Sequence, residues 1–270
     1  MRNKNWDSRL VAISSVEKWV YPGIVFMVFI ISWQAVAMSG IYTPYQFPSP
    51  LEVWRSTLEL YEQGTVLKHI RVSMYRLLAG FLLALATGVP LGILLGWKTR
   101  LFSAFDPLIQ IIRPISPIAW FPLAILWFKI GDPPAIFIIF MAAVFPILLS
   151  TIAAVRSVHS FYVKVAVNFG AGPGQMILNV VLPAAFPQIM VGVRIALGSA
   201  WIHMVAGEML GVQSGLGFLV VDARNFLRTD WVISAMILIG ILGLLLDAVM
   251  AWIQRRISGS FGNPAIKINN

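Results

Sequence analysis

Residues 157–183 read SVHSFYVKVAVNFGAGPGQMILNVVLP, a polar interruption between two long apolar runs, Pro133–Val155 and Pro183–Gly207. A bilayer core of ~30 Å is crossed by about 20 apolar residues in a helix, so both neighbours have spanning length and the stretch between them falls outside the membrane. Within it Phe161, Val165 and Phe169 recur every four residues and place one apolar stripe on a short helix that Ser160 can cap and Gly170 can end. Gly172-Pro173-Gly174 predicts a turn, and Gln175–Leu182 a second short helix that runs into Pro183. The stripe has no partner inside the bilayer. By composition alone it fits either the groove of a separate soluble protein or a headgroup layer on which the hairpin rests.

The rest of the chain sets the class. Of 270 residues 59% are hydrophobic and 11% charged, with a mean hydropathy of +0.82, too little polar surface for a soluble globule of this size. Val20–Met38, Leu77–Trp97 and Pro133–Val155 carry no charge. Three further spans contain polar groups: Pro107–Phe128 with Arg113, Pro183–Gly207 with Arg194 and His203, and Trp231–Ile253 with Asp247. The expectation is an all-α integral membrane protein of six transmembrane helices. The first span is longer than a signal-peptide core and lacks a convincing cleavage site after it, so it counts as a helix. Lys and Arg in the terminal and alternate segments outnumber those opposite, which puts both ends in the cytoplasm. The layout is then an N-terminal tail, 1–19, a membrane domain, 20–255, that includes the cytoplasmic loop 156–182, and a C-terminal tail, 256–270.

The net charge of +9 fits anchoring to anionic membrane lipid rather than nucleic acid, because the basic residues are scattered between spans and form no stripe. Without cysteine there is no disulfide, thiolate metal site or thiol chemistry.

Tyr42–Val66, with three prolines and an amphipathic run Leu51–Leu60, reads as an external loop carrying a short surface helix. Gly80, Gly88, Gly92 and Gly96 mark the second span as a packing helix, since small residues let helices approach closely in lipid. Pro114, Pro117 and Pro122 break the third span just beyond Arg113, leaving carbonyls without helical donors. Such backbone belongs in a kinked packing helix or along a wet passage.

Arg113 and Arg194 are too costly to face lipid, at roughly 2.5–3.5 kcal/mol each on insertion scales. They either give a cavity positive potential, or pair with helix ends, with Asp106 or with Asp247, or snorkel to the cytoplasmic surface; the second kind of role is favoured because both sit near predicted inner ends. Ser116, Trp120 and His203 are better placed to line a passage. His203 is an improbable metal ligand, since His69 and His159 lie in other segments and no carboxylates join it. Glu208 falls at the outer end of the fifth span, where it can gate, contact a partner or simply be wetted. Asp247 is expected to satisfy a neighbouring helix.

The interruption also carries a family pattern. Gly170 is followed by nine residues and then Val180-Val181-Leu182-Pro183, which resembles the Glu-Ala-Ala, three residues, Gly, nine residues, Ile-x-Leu-Pro signature of permease subunits of binding-protein-dependent ABC importers. The triplet itself reads Lys164-Val165-Ala166, so only its last member fits. Asp106-Pro107, Arg113–Leu123, Trp127–Gly131, Gly192–Gly198 with Trp201, and Ala206–Met209 are similar to the nitrate, cyanate, bicarbonate, taurine and alkanesulfonate permeases of that family.

The resemblance implies the type I importer fold in a bacterial cytoplasmic (inner) membrane, with two copies of this chain forming a homodimer. Phe161, Lys164, Val165, Ala166, Phe169, Gly170, Leu182 and Pro183 would dock on an ABC ATPase subunit. ATP and Mg would be bound there and no cofactor by this chain, which has no phosphate-binding Gly-rich motif. A periplasmic or lipid-anchored solute-binding protein would deliver a small anion. Arg113, Ser116, Trp120, Arg194, His203 and Glu208 are the candidate pathway residues. A self-sufficient secondary anion carrier would show inverted repeats between its halves, and an intramembrane enzyme a nucleophile with its base; neither pattern is found.

Overall fold

Four glycines decide how the centre of the molecule packs. In the computed structural model, which describes residues 17–260, α3 (Thr65–Trp97) lies along α6 (Asp132–Ser157). A Cβ built on Gly80 would fall 2.7 Å from Ile139, on Gly88 2.9 Å from Ile147, on Gly92 2.5 Å from Thr151, and on Gly96 2.8 Å from Val155. The pairs advance together along both helices, so α3 and α6 run parallel at near backbone contact. Glycine in a helix costs about 1 kcal/mol relative to Ala. Dispersion contacts along the whole seam offset that cost.

Parallel neighbours require a return between them. It is made by α4 (Thr99–Ile112), a 3₁₀ turn Pro117–Trp120 and α5 (Phe121–Phe128), with an 84° bend between α4 and the Pro117–Phe128 segment. The expected proline break is therefore real, and sharper than a kink. Lys129 at φ +65° and Gly131 at φ +144° then turn the chain into α6, with Pro133 in its first turn.

After α6 come α7 (Ser160–Asn168) and α8 (Pro173–Met176), then the long α9 (Leu182–Gly211). Gly192 abuts Ser150 and Gly207 abuts Ala135, so α9 runs antiparallel to α6. The core is α3, α6 and α9 together, built from residues such as Leu77, Ile139, Ile147, Val193 and Met204. α8 passes into α9 without a break through a π turn, Ile177–Val181, in which the Leu182 N–H reaches the Ile177 carbonyl. Pro183 and Pro187, which have no N–H to donate, follow at once.

On the opposite face lie α2 (Pro50–Glu62) and α10 (Leu216–Asn225), before α11 (Thr229–Ser260) returns. Ser49 and Glu52 close a reciprocal cap on α2. Arg228 joins α2 to α11, reaching Glu59 at 3.0 Å and Asp230 at 2.8 Å while stacking over Trp231. α1 (Glu17–Met38) has an almost wholly exposed apolar surface and meets the rest through Trp33, whose indole N–H donates to the Pro48 carbonyl.

Five helices have the length and apolar character to cross a membrane, or six if the bent pair is one span. This agrees with the expected all-α class. The second span begins at Thr65, twelve residues before the charge-free run, and α10 was not foreseen. Of the two expected tails, residues 1–16 and 261–270 lie outside the described residues; helix already occupies Glu17 onward and extends to Ser260.

Candidate functional site

α7 ends at Gly170 as its sequence predicts. The Gly170 N–H bonds to the Val167 carbonyl at 2.9 Å and the Ala171 N–H to the Ala166 carbonyl at 3.0 Å, a Schellman closure that needs the left-handed residue, and Gly170 sits at φ +78°. The N-terminal cap differs from expectation. His159 Nδ1 accepts from the Phe161 N–H, and α7 starts with Ser160 rather than being capped by it.

Val163, Ala166 and Ala171 pack inward on the core, and so do Leu182 and Pro183's neighbour Phe186. Phe161 (61% exposed), Tyr162, Val167 and Phe169 (88%) point out, with Lys164 and Gly170 beside them and Val165 half-buried. The residues singled out from sequence thus separate into a presented set and an anchoring set, Ala166, Leu182 and Pro183, which are half-buried.

A second feature lies at mid-depth. A cavity of about 410 Å³ opens between the α4–α5 break and the middle turns of α6 and α9, lined among others by Arg113, Phe145, Ser150, Ser199 and His203. Arg113, which caps the C-terminal end of α4, is exposed and has no ion pair or side-chain hydrogen bond among the described residues. The expected partner Asp106 is instead engaged by Gln110 at 2.6 Å, one turn along its own helix. Ser116 sits in the break between two lining residues, Ile115 and Pro117, and Trp120 is half-buried with an indole N–H that has no partner among the described residues.

Arg194 leaves this cavity for another neighbour. Its Nε and Nη2 donate to the two carboxylate oxygens of Asp247 on α11 at 2.8 and 2.6 Å, a bidentate pair. The pairing expected for Asp247 is present, and Arg194 is neutralised by it.

Glu208 departs most from expectation. It is 1% exposed, neither wetted nor a lining residue of the cavity. Its carboxylate accepts from Arg76 Nη1 at 2.8 Å, from the Ser73 hydroxyl and from the Gly217 N–H at 3.0 Å. Arg76, also 1% exposed, uses all five N–H groups: on Glu208, on both the carbonyl and hydroxyl of Ser214, and twice on Asp132. His69 Nδ1 accepts from the Gly215 N–H and Ser73 Oγ from the Leu216 N–H. This cluster ties α3, the start of α6, the end of α9 and the start of α10 at the face away from α7. Gly215, at φ +108°, is pressed against the Glu208 carboxylate, leaving no room for a Cβ. Burial is tolerable because Arg76 and Glu208 neutralise each other and nearly every hydrogen-bonding position of the pair is filled.

None of Arg76, Ser73, His69 or Asp132 was singled out from sequence. A signal was present: His69, Ser73, Arg76 and Gly80 recur at steps of four, three and four, a polar stripe continuous with the glycine seam.

A long parallel–antiparallel core, a bent return and an exposed apolar helix between α6 and α9 define a membrane permease subunit, and sequence comparison gives its family. Residues 88–260 match the family described as binding-protein-dependent transport system inner membrane component, and the chain belongs to it. It is the non-catalytic membrane component of an ABC transporter, working with an ATPase and a binding protein. The chain is 36% identical over 266 residues to the bicarbonate transport system permease protein CmpB of Synechococcus elongatus, covering 93% of this chain and 92% of that one. It is 33% identical over 231 residues to the taurine transport system permease protein TauC of Escherichia coli K12, covering 84% of each. Its fold is similar to a chain of the MetNI methionine ABC transporter in an inward-facing conformation, with a TM-score of 0.63, 18% identity and 75% and 98% of the two chains covered.

Proposed function

We propose that the chain is the membrane pathway of an importer that moves a small anion into the cytoplasm of a prokaryote. The subfamily it belongs to, with nitrate, bicarbonate, taurine and sulfonate permeases, supports an anionic cargo. The observation that carries the reading is Arg113: a guanidinium without a counter-ion among the described residues, in a cavity at the middle of the spanning helices. An uncompensated cation at that depth is costly unless an anion or water meets it.

Two copies of the chain form the pathway. Each presents Phe161, Lys164, Val165, Phe169 and Gly170 to one ATPase subunit, with Ala166, Leu182 and Pro183 holding that surface on the core. ATP and Mg bind on the ATPase; its closure pushes α7, and the push passes along the unbroken α8–α9 rod into the wall of the cavity. Arg113 attracts the anion, Ser116, Trp120 and His203 supply polar wall, and Arg194 holds α9 to α11. Glu208 and Arg76 fix the outer end.

The test is purification from native membranes followed by uptake in proteoliposomes. The expected result is co-purification of an ABC ATPase and uptake only with ATP and the binding protein. Uptake by the chain alone, driven by an ion gradient, would establish a self-sufficient carrier instead.

A further inference from the structure

We infer that a zwitterionic phospholipid, one with a phosphate and a primary ammonium, seats between α1 and α11 at the end of the molecule away from α7. Beside its Trp33 contact, α1 leaves an apolar cavity of about 700 Å³ against α11, walled by Phe26, Phe29, Trp33 and Val36 on one side and by Ile233 and Ile237 on the other. Phe26 and Val36 are ten positions apart on α1, about 15 Å, which is half of a hydrocarbon core of ~30 Å and so the depth of one leaflet. Over that length the volume leaves a cross-section of about 50 Å², whereas a helix about 10–12 Å across occupies about 80–110 Å². The groove is too narrow for a helix of a second copy and wide enough for a lipid tail.

The end of this groove is polar. Asp230 and Ile233 stand three apart on α11 and Phe47 and Pro48 are consecutive, so the groove lies end to end with a pocket of about 370 Å³ lined by Tyr45, Glu52, Arg55, Arg228 and Asp230. This pocket sits where the apolar run of α11, from Trp231, ends. Arg228 is taken by Glu59 and Asp230, and Asp230 by Arg228 and the Ser56 hydroxyl. Glu52 accepts from the Ser49 N–H at 2.7 Å and the Ser49 hydroxyl at 2.9 Å, both through Oε2. Among the described residues, two charged positions of the pocket are left without a partner: the Arg55 guanidinium and Glu52 Oε1. Three apart on α2, they share a face. A phosphate meets the first and a primary ammonium the second, and the tail then lies in the groove, fastening α1 to α2 and α11. A phosphoglycerol headgroup brings no cation to Glu52, and a trimethylammonium has no N–H to donate.

The test uses the assembled permease–ATPase complex in nanodiscs of equal parts phosphatidylethanolamine, phosphatidylglycerol and phosphatidylcholine with the same acyl chains. Among the lipids that survive collisional stripping in native mass spectrometry, phosphatidylethanolamine should exceed the other two by about two- to fivefold. Glu52→Gln keeps the reciprocal cap on α2, which either residue can make, and should abolish that preference with the fold intact. Arg55→Gln should lower retention of all three lipids. For location, Ile30→Cys gives this cysteine-free chain a single thiol in the groove wall, and Val28→Cys one on the exposed side of α1. On irradiation, a benzophenone at position 30 should label phosphatidylethanolamine in excess, and one at position 28 should label the three lipids in proportion to the mixture. Equal retention of the three lipids, a preference that survives Glu52→Gln, unchanged retention in Arg55→Gln, or proportional labelling from position 30 would overturn the inference. So would label from position 30 on a second copy of the chain, which would show that a neighbouring permease fills the groove.

Discussion

Arg76 and Glu208 meet at 2.8 Å with 1% and 0% of their side chains exposed, joining two helices 132 positions apart in the chain. Nearly every hydrogen-bonding position of the pair is occupied, and Ser73, Asp132, Ser214 and Gly217 occupy them.

Removing one member therefore leaves an uncompensated buried charge. Arg76→Ala and Glu208→Ala should each cost about 3–5 kcal/mol. The measurement is thermal unfolding of the purified complex. The double variant should be less destabilised than the sum of the two, because the pair fails as a unit. Additive losses would show that the charges act separately.

The seam between α3 and α6 makes a second prediction. A Cβ at Gly92 would sit 2.5 Å from Thr151 Cβ and 3.0 Å from the Leu148 carbonyl, so neither a rotamer change nor a small shift relieves Gly92→Val. Destabilisation of about 1–3 kcal/mol or more is expected, with reduced yield of folded complex. Wild-type stability would mean the helices sit farther apart.

These features were unevenly visible in the sequence. The glycine seam and the α7 helix with its Gly170 stop were legible because each depends on local spacing and on residues with few alternatives. The break after Arg113 was legible from three prolines, though its 84° angle was not, since it is set by tertiary packing, α4 lying on α3 and α6 and the Pro117–Phe128 piece on α6 and α9. Arg76 was obscured by its place one residue before the charge-free run, outside the expected span, although α3 begins at Thr65. The burial of Glu208, for which the sequence leaves a gate, a partner contact and a wetted helix end all open, was hidden because its partners come from positions 73, 76 and 217, and only tertiary structure brings them together. α10 escaped notice because Asp222, Arg224 and Asn225 dilute its apolar pattern.

The exposed part of α7 predicts a loss of partner without a loss of fold. Phe169 is 88% exposed, so Phe169→Asp should leave thermal stability within about 0.5 kcal/mol. It should nonetheless release the ATPase during affinity purification. Retention of the ATPase would remove Phe169 from the docking surface.

Gly170 predicts a different failure. Nothing lies within 4 Å of its built Cβ, so size is not the obstacle to substitution; the φ of +78° is. Gly170→Val should strain the turn by about 1–2 kcal/mol and re-aim α7, uncoupling ATP hydrolysis from uptake while membrane insertion stays normal. Full coupling in this variant would show that the Schellman turn is dispensable.

The most direct test of the central claim is ATP-driven uptake by the complete reconstituted importer with Arg113 intact, as Arg113→Lys and as Arg113→Gln. The lysine variant should retain part of the uptake and the glutamine variant lose nearly all of it, with the ATPase still bound to both. Unchanged anion uptake by Arg113→Gln would contradict the account, because the cavity at the α4–α5 break would then not be the path the anion takes.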